Sequence, residues 1–203
     1  MVGGALTAAI ERSSVVREAL SAARRAHAGQ VRSAGNGEMP FIEHPLAVAE
    51  RLAENGCPDE VLAAALLHDV VEKGGMGLSE LRERFGDAVA GLVDALTEDA
   101  AIFSYEERKD EHRDRVARAG RQAQAIFAAD KLVNVDALRD AYAVRGEAVD
   151  RELQVPLDTK LRTWERDLKM LAAEESGPPL VSRLADELAG LRRERSESPA
   201  SSS

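Results

Sequence analysis

Apolar positions recur every three to four residues through most of this chain, the spacing of helices that bury one side. Val15, Val16, Ala19, Leu20 and Ala23 share a side over residues 14–27. A polar, glycine-bearing stretch at 30–39 breaks the pattern and is expected to be a loop. Pro45 suits the first position of a helix over 45–54, with His44 at or beside its N-cap and Asn55-Gly56 as its stop. A second helix is expected from Pro58, with Asp59 and Glu60 at the positive end of its dipole. It runs unbroken through 61–73 to Gly74-Gly75.

Shorter helices are predicted over 78–84 and 88–96, separated by Phe85-Gly86-Asp87. Longer ones cover 105–119 and 121–142, joined near Gly120. Leu157, Leu161, Trp164, Leu168 and Leu171 form the apolar stripe of another over 149–173. Gly177-Pro178-Pro179 reads as a linker, 180–193 as a short amphipathic helix, and the Ser/Pro-rich end from Ser196 as disordered. The pattern predicts an all-α protein, with one domain over 1–175 and a helical extension over 176–203.

Composition agrees. Of 203 residues, 44% are apolar but only 3% aromatic, so Ala and Leu, both strong helix formers, do most of the filling. The single cysteine, Cys57, permits neither an internal disulfide nor a thiolate cluster. A net charge of −9 argues against nucleic-acid binding, although cations gathered locally can still hold a small polyanion. Glu11 and Arg12 follow a short, weakly apolar run, so neither a signal peptide nor a membrane span is expected, and the cytoplasm is the expected location.

Two stretches carry a carboxylate where apolar residues dominate. They are Ala63-Ala64-Ala65-Leu66-Leu67-His68-Asp69-Val70-Val71-Glu72 and Ala125-Ile126-Phe127-Ala128-Ala129-Asp130-Lys131-Leu132-Val133-Asn134. A buried, unpaired charge costs several kcal/mol, so Asp69 and Asp130 need compensation, and one divalent cation could compensate both. Glu72 lies three residues after Asp69 and four after His68, on a helical face shared with both. Taken singly, each residue has a plainer alternative: a hydrogen-bonded core histidine, or an aspartate paired with arginine. Two imidazoles and two carboxylates with open positions would suit an octahedral ion such as Mn²⁺ or Fe²⁺ better than a closed zinc site.

Six blocks, in order, resemble the HD-domain phosphohydrolases, and more closely the hydrolase domain of the (p)ppGpp synthetase/hydrolases and the small alarmone hydrolases. They are Ala26-His27-Ala28-Gly29-Gln30-Val31-Arg32, Pro40-Phe41-Ile42-Glu43-His44-Pro45, Ala64-Ala65-Leu66-Leu67-His68-Asp69-Val70-Val71-Glu72, Phe85-Gly86 with Val93-Asp94-Ala95-Leu96-Thr97, Tyr105-Glu106-Glu107-Arg108-Lys109, and Ala129-Asp130-Lys131-Leu132-Val133-Asn134. The resemblance implies an HD-type helical bundle whose metal ligands are His44, His68, Asp69 and Asp130. It implies Glu72 as the residue that positions or activates the attacking water. Arg32 would contact the nucleotide base and Asn134 its sugar, with Lys131 beside the metal aspartate. The implied reaction is release of pyrophosphate from the 3′ position of ppGpp by a stand-alone unit, with a small nucleotide as partner and Mn²⁺ as metal.

The chain departs from the family pattern at Lys73, where an aspartate is usual beside the glutamate, and at Ser33, where a basic residue follows the base-contacting arginine. Three readings of Lys73 stand open: a solvated helix-terminal lysine, a partner of Asp69 four residues back, or a cation in the cleft that touches substrate phosphates. These departures leave two rivals to ppGpp hydrolysis, namely another nucleotide or phosphate ester as substrate, and a non-catalytic metal- and nucleotide-binding sensor. His27 is expected to pack near the loop that holds Arg32. His112 lies in the charged helix 106–118, expected to be a solvated face. The C-terminal helix could self-associate or pack on the domain, and the oligomeric state stays open.

Overall fold

The computed structural model describes residues 3–34, 37–173 and 180–197. Its elements run α1 (Gly4–Arg12), α2 (Ser14–Ala26), β1 (Val31–Ala34), β2 (Gly37–Pro40), α3 (Glu43–Glu54), α4 (Asp59–Leu67), α5 (Val70–Lys73), α6 (Leu78–Leu96), α7 (Tyr105–Ala119), α8 (Arg121–Arg145), a 3-10 turn at Gly146–Glu152, α9 (Leu157–Leu171) and α10 (Val181–Glu197). The all-α expectation holds, apart from one antiparallel hairpin among the described residues.

α4 is the axis of the bundle. Every residue from Val61 to Leu67 is at most 1% exposed, because α2, α3, α6 and α8 pack around it. Burying Leu62, Leu66 and Leu67 contributes roughly 1.5–3 kcal/mol each, which fixes the height at which the next residues, His68 and Asp69, leave the helix. Among the described residues no helix is long and apolar enough to cross a membrane.

Several boundaries differ from the pattern-based expectation, each for a physical reason. The loop expected at 30–39 is the β1–β2 hairpin, with Arg32 opposite Met39 and Val31 opposite Pro40. The helix expected over 61–73 is two helices, since α4 ends at Leu67 and α5 starts at Val70. His68 and Asp69 occupy the turn between them, a break that a continuous apolar run conceals. α3 starts two residues before Pro45, which places His44 inside its first turn. Gly86 has φ +83°, a left-handed conformation that breaks α6 where the two shorter helices were expected to part.

α1 was not anticipated. Its first turn is capped by the distant Glu50, whose carboxylate accepts hydrogen bonds from the Ala5 and Leu6 amides at 3.1 and 2.8 Å. α10 packs on α8 through the buried Leu184, Leu188 and Leu191, while Arg139 pairs with Glu187 and Glu194. It extends to Glu197, so Ser196 is helical, not disordered. The linker at 177–179, the domain boundary at 175 and the tail from 198 lie outside the described residues.

Candidate metal centre and nucleotide cavity

Four side chains converge from two helices and an interhelical turn. α3 supplies His44 and α8 supplies Asp130, while His68 and Asp69 come from the turn between α4 and α5. His44 Nε2 lies 3.0 Å from Asp130 Oδ1 and 3.9 Å from Asp69 Oδ2. His68 Nε2 lies 3.4 Å from Asp69 Oδ2 and 3.9 Å from Asp130 Oδ1. One donor atom each of His44, His68 and Asp130 fall within 4.8 Å of one another. Asp69 stands at the edge of that tight group.

His68 Nδ1 donates to the Ala65 carbonyl at 2.7 Å. A carbonyl only accepts, so Nδ1 carries the proton and the lone pair of Nε2 faces the cluster. Burial pushes the His44 imidazole below its ordinary value, against the pull of Asp130, and keeps it neutral. Burial would raise both aspartates. For Asp69 its neighbours His68, Lys73 and His44 outweigh it, and for Asp130 Lys131, His44 and His68 do so, holding both carboxyls below their ordinary value. Imidazole nitrogens beside ionised carboxylates are the donor set a divalent cation needs.

Each aspartate has one oxygen turned outward. Lys131 donates to Asp130 Oδ2 at 2.8 Å, and Lys73 donates to Asp69 Oδ1 at 2.5 Å. Oδ1 of Asp130 and Oδ2 of Asp69 are the oxygens that face the imidazoles. Of the three arrangements open for Lys73, the fold holds the pairing with Asp69, and the lysine leaves the inner oxygen to the cluster. Lys73 also lies 5.1 Å from the Phe41 ring.

Asn134, one turn after Asp130, donates to Asp130 Oδ1 at 2.8 Å and accepts from the Arg32 guanidinium at 2.9 Å. Arg32, Lys131 and Asn134 lead from the cluster into a cavity of about 510 Å³. The 3-10 turn and α9 form its other wall, where Val149, Leu153, Lys160 and Trp164 line it.

Glu72 lies on α5 with its side chain 25% exposed, and its carboxylate accepts a hydrogen bond from the Glu98 amide at 2.6 Å. Burial raises its pKa, and the Glu98 amide and Lys73 offset only part of that rise. Glu98 itself is held down to about 2, because Lys109, Arg108 and Lys131 outweigh its burial. Glu98 and Lys109 were assigned no role from sequence, although Lys109 closes one of the six matching blocks.

His27 is buried, with its ring 4.6 Å from that of Phe41, and its Nδ1 donates to Gln30 Oε1 at 2.9 Å. The helix expected to be a solvated face is two-faced: His112, Arg113 and Val116 are buried. His112 packs edge-on to Phe127, and burial together with Lys131 lowers its pKa to about 3.

This chain is similar to several known proteins. A probable GTP pyrophosphokinase of Mycobacterium leprae is 39% identical over 129 residues, 62% of this chain and 16% of that protein. A guanosine-3′,5′-bis(diphosphate) 3′-pyrophosphohydrolase of Aquifex aeolicus is 32% identical over 154 residues, 73% of this chain and 22% of that protein. The chain thus spans less than a quarter of these relatives. A solved metazoan ortholog of SpoT, described as hydrolysing ppGpp, superposes with a TM-score of 0.70 at 26% identity, over 89% of this chain and 96% of its own. The HD domain model matches residues 19–155, a stretch that contains all four cluster residues, and the chain belongs to the HD domain family.

Proposed function

We propose that this chain is a metal-dependent phosphohydrolase that removes pyrophosphate from the 3′ position of ppGpp. The observation that carries the reading is the converging donor set of His44, His68, Asp69 and Asp130, placed beside a cavity lined by Arg32, Lys131 and Asn134. The relatives named for ppGpp hydrolysis support the choice of substrate.

The four residues would hold one divalent ion, with Mn²⁺ suited to their mixed nitrogen and oxygen donors; such an ion supplies an activated water and a Lewis acid for the phosphoryl group. Glu72 accepts the proton of the attacking water. Its raised pKa and the fixed hydrogen bond from the Glu98 amide suit a base near neutral pH. Lys131 and Arg32 offset the charge of the substrate phosphates, and the Arg32–Asn134–Asp130 chain ties the nucleotide contacts to the metal aspartate. Lys73 is a cation at the mouth of the site; its ammonium lies 4.0 Å from Glu72 and favours that carboxylate's ionised form.

A second reading rests on Lys73, which stands where the family pattern implied by the resemblance has an acid. The chain would then bind metal and nucleotide as a sensor without turnover. Pyrophosphate release from ppGpp with Mn²⁺ present separates the two, with His68→Ala as the blank. Release that disappears in the blank supports the hydrolase. Nucleotide binding without release supports the sensor.

A further inference from the structure

Glu72 is aimed by a partner outside its own helix. α5 has only four residues, and a single turn does little to fix a side chain. The hydrogen bond that the Glu72 carboxylate accepts comes from the backbone amide of Glu98, 26 residues further along, where the chain leaves α6 for α7. The direction of the carboxylate therefore depends on where that loop sits.

Apolar packing does not seat the loop. No residue from 98 to 104 is buried, and Phe103 is 95% exposed. Charge seats it instead. The Glu98 carboxylate accepts hydrogen bonds from Arg108 at 2.9 Å and from Lys109, both on α7. The same Arg108 guanidinium donates to the Ile102 carbonyl at 2.9 Å, so one side chain ties the loop at two points. His112 Nδ1 lies 3.8 Å from the Glu98 carboxylate, and the charge of Lys131 also acts on it. Hydrogen bonds to an ionised carboxylate are the strong ones, and two of them converge on this side chain.

We propose that Glu98 is a positioning residue for the hydrolytic reaction: its carboxylate, anchored by Arg108 and Lys109, fixes its own backbone amide and through it the aim of Glu72. The inference rests on the hydrolase reading above and adds the device that holds the base. Glu98 acts through Glu72, so its loss lowers kcat and leaves KM as it was. Its two influences on Glu72 oppose each other. The charges acting on Glu72 are Lys73, Asp69 and Glu98; the Glu98 charge raises the Glu72 pKa, whereas the Glu98 amide lowers it. Removing the charge alone would let the pKa of Glu72 fall, but losing the amide bond makes it rise. The sign of the change separates a positioning role from a through-space one.

The test is a pH–rate profile of pyrophosphate release from ppGpp with Mn²⁺, on wild type, Glu98→Gln, Arg108→Met and the double variant. Glu98→Gln is expected to lower kcat roughly ten- to a hundredfold at unchanged KM and to move the acid limb up by about one pH unit. Arg108→Met, which keeps the Glu98 charge and serves should Glu98→Gln fail to fold, shows the same changes to a smaller extent. The double variant falls no further than Glu98→Gln, because both break one tie. An acid limb that stays or moves down, a raised KM, or additive losses overturn the proposal. If wild type releases no pyrophosphate, the hydrolase reading fails, and a carbon-detected NMR titration of the Glu72 carboxyl, assigned with Glu72→Gln, decides the role of Glu98. A midpoint higher in both variants than in wild type supports it; an equal or lower one contradicts it.

Discussion

Around Asp130 and Asp69, carboxylate oxygens face the ring nitrogens of His44 and His68. Around α7, by contrast, arginine and lysine meet the carboxylates: Arg113 donates to the buried Asp167 of α9 at 2.8 Å, and Arg108, at 2.9 Å, and Lys109 donate to Glu98. Both regions take charge out of water. The second balances it internally, and removing one partner there leaves a buried charge alone. The first takes one oxygen of each aspartate for a lysine and leaves the other facing the imidazoles, a donor set open to a metal ion. Burial alone does not mark a functional carboxylate; the nature of its neighbours does.

The largest expected effect tests the reactive side of this contrast. Glu72→Gln should lower kcat by ~10²–10⁴-fold while Mn²⁺ binding is retained. Glu72 acts as the carboxylate and its pKa is raised by burial, so the wild-type rate should fall as pH drops through that raised value. The glutamine variant should lose this acid limb in a pH–rate profile. A rate within tenfold of wild type would remove Glu72 from the base role.

A smaller effect tests the balanced side. Glu98 is held at about 2 in the folded state against an ordinary 4.5, a lowered pKa. Its stabilising contribution is therefore complete above about 4.5 and lost as pH falls from there toward 2. Glu98→Gln should cost on the order of 2 kcal/mol at neutral pH and flatten the acid dependence of urea unfolding over that window. Identical acid limbs in the two proteins would show that Glu98 is not held down by its cations.

The smallest effect concerns Lys73. Its side chain is 45% exposed, and an exposed pair of this spacing contributes only ~0.3–1 kcal/mol. Lys73→Met should tighten Mn²⁺ binding by no more than roughly two- to fivefold, read by electron paramagnetic resonance titration. A hundredfold gain would mean that the ammonium competes for the metal position itself.

The parts of this molecule legible in its sequence are those whose cause is local. His68-Asp69 and Asp130 stand out because a charge interrupts an apolar run, and Asn134 follows Asp130 by one helical turn. The break between α4 and α5 was not legible, since Val70 continues the apolar run and nothing local marks the turn. The hairpin was missed because it is largely polar and glycine-bearing, and its partners are set by pairing. α1 depends on Glu50, more than forty residues away. Lys160 and Trp164 meet Lys131 and Arg32 only through the packing of α9, so no spacing could have joined them to the cavity.

The most direct test of the metal-dependent hydrolase is pyrophosphate release from ppGpp as Mn²⁺ is titrated into metal-stripped wild type and His68→Ala. The account predicts release that is absent without metal, saturates with it in wild type, and stays at background in His68→Ala. Release that is unaffected by stripping, or equal in the two proteins, would contradict it.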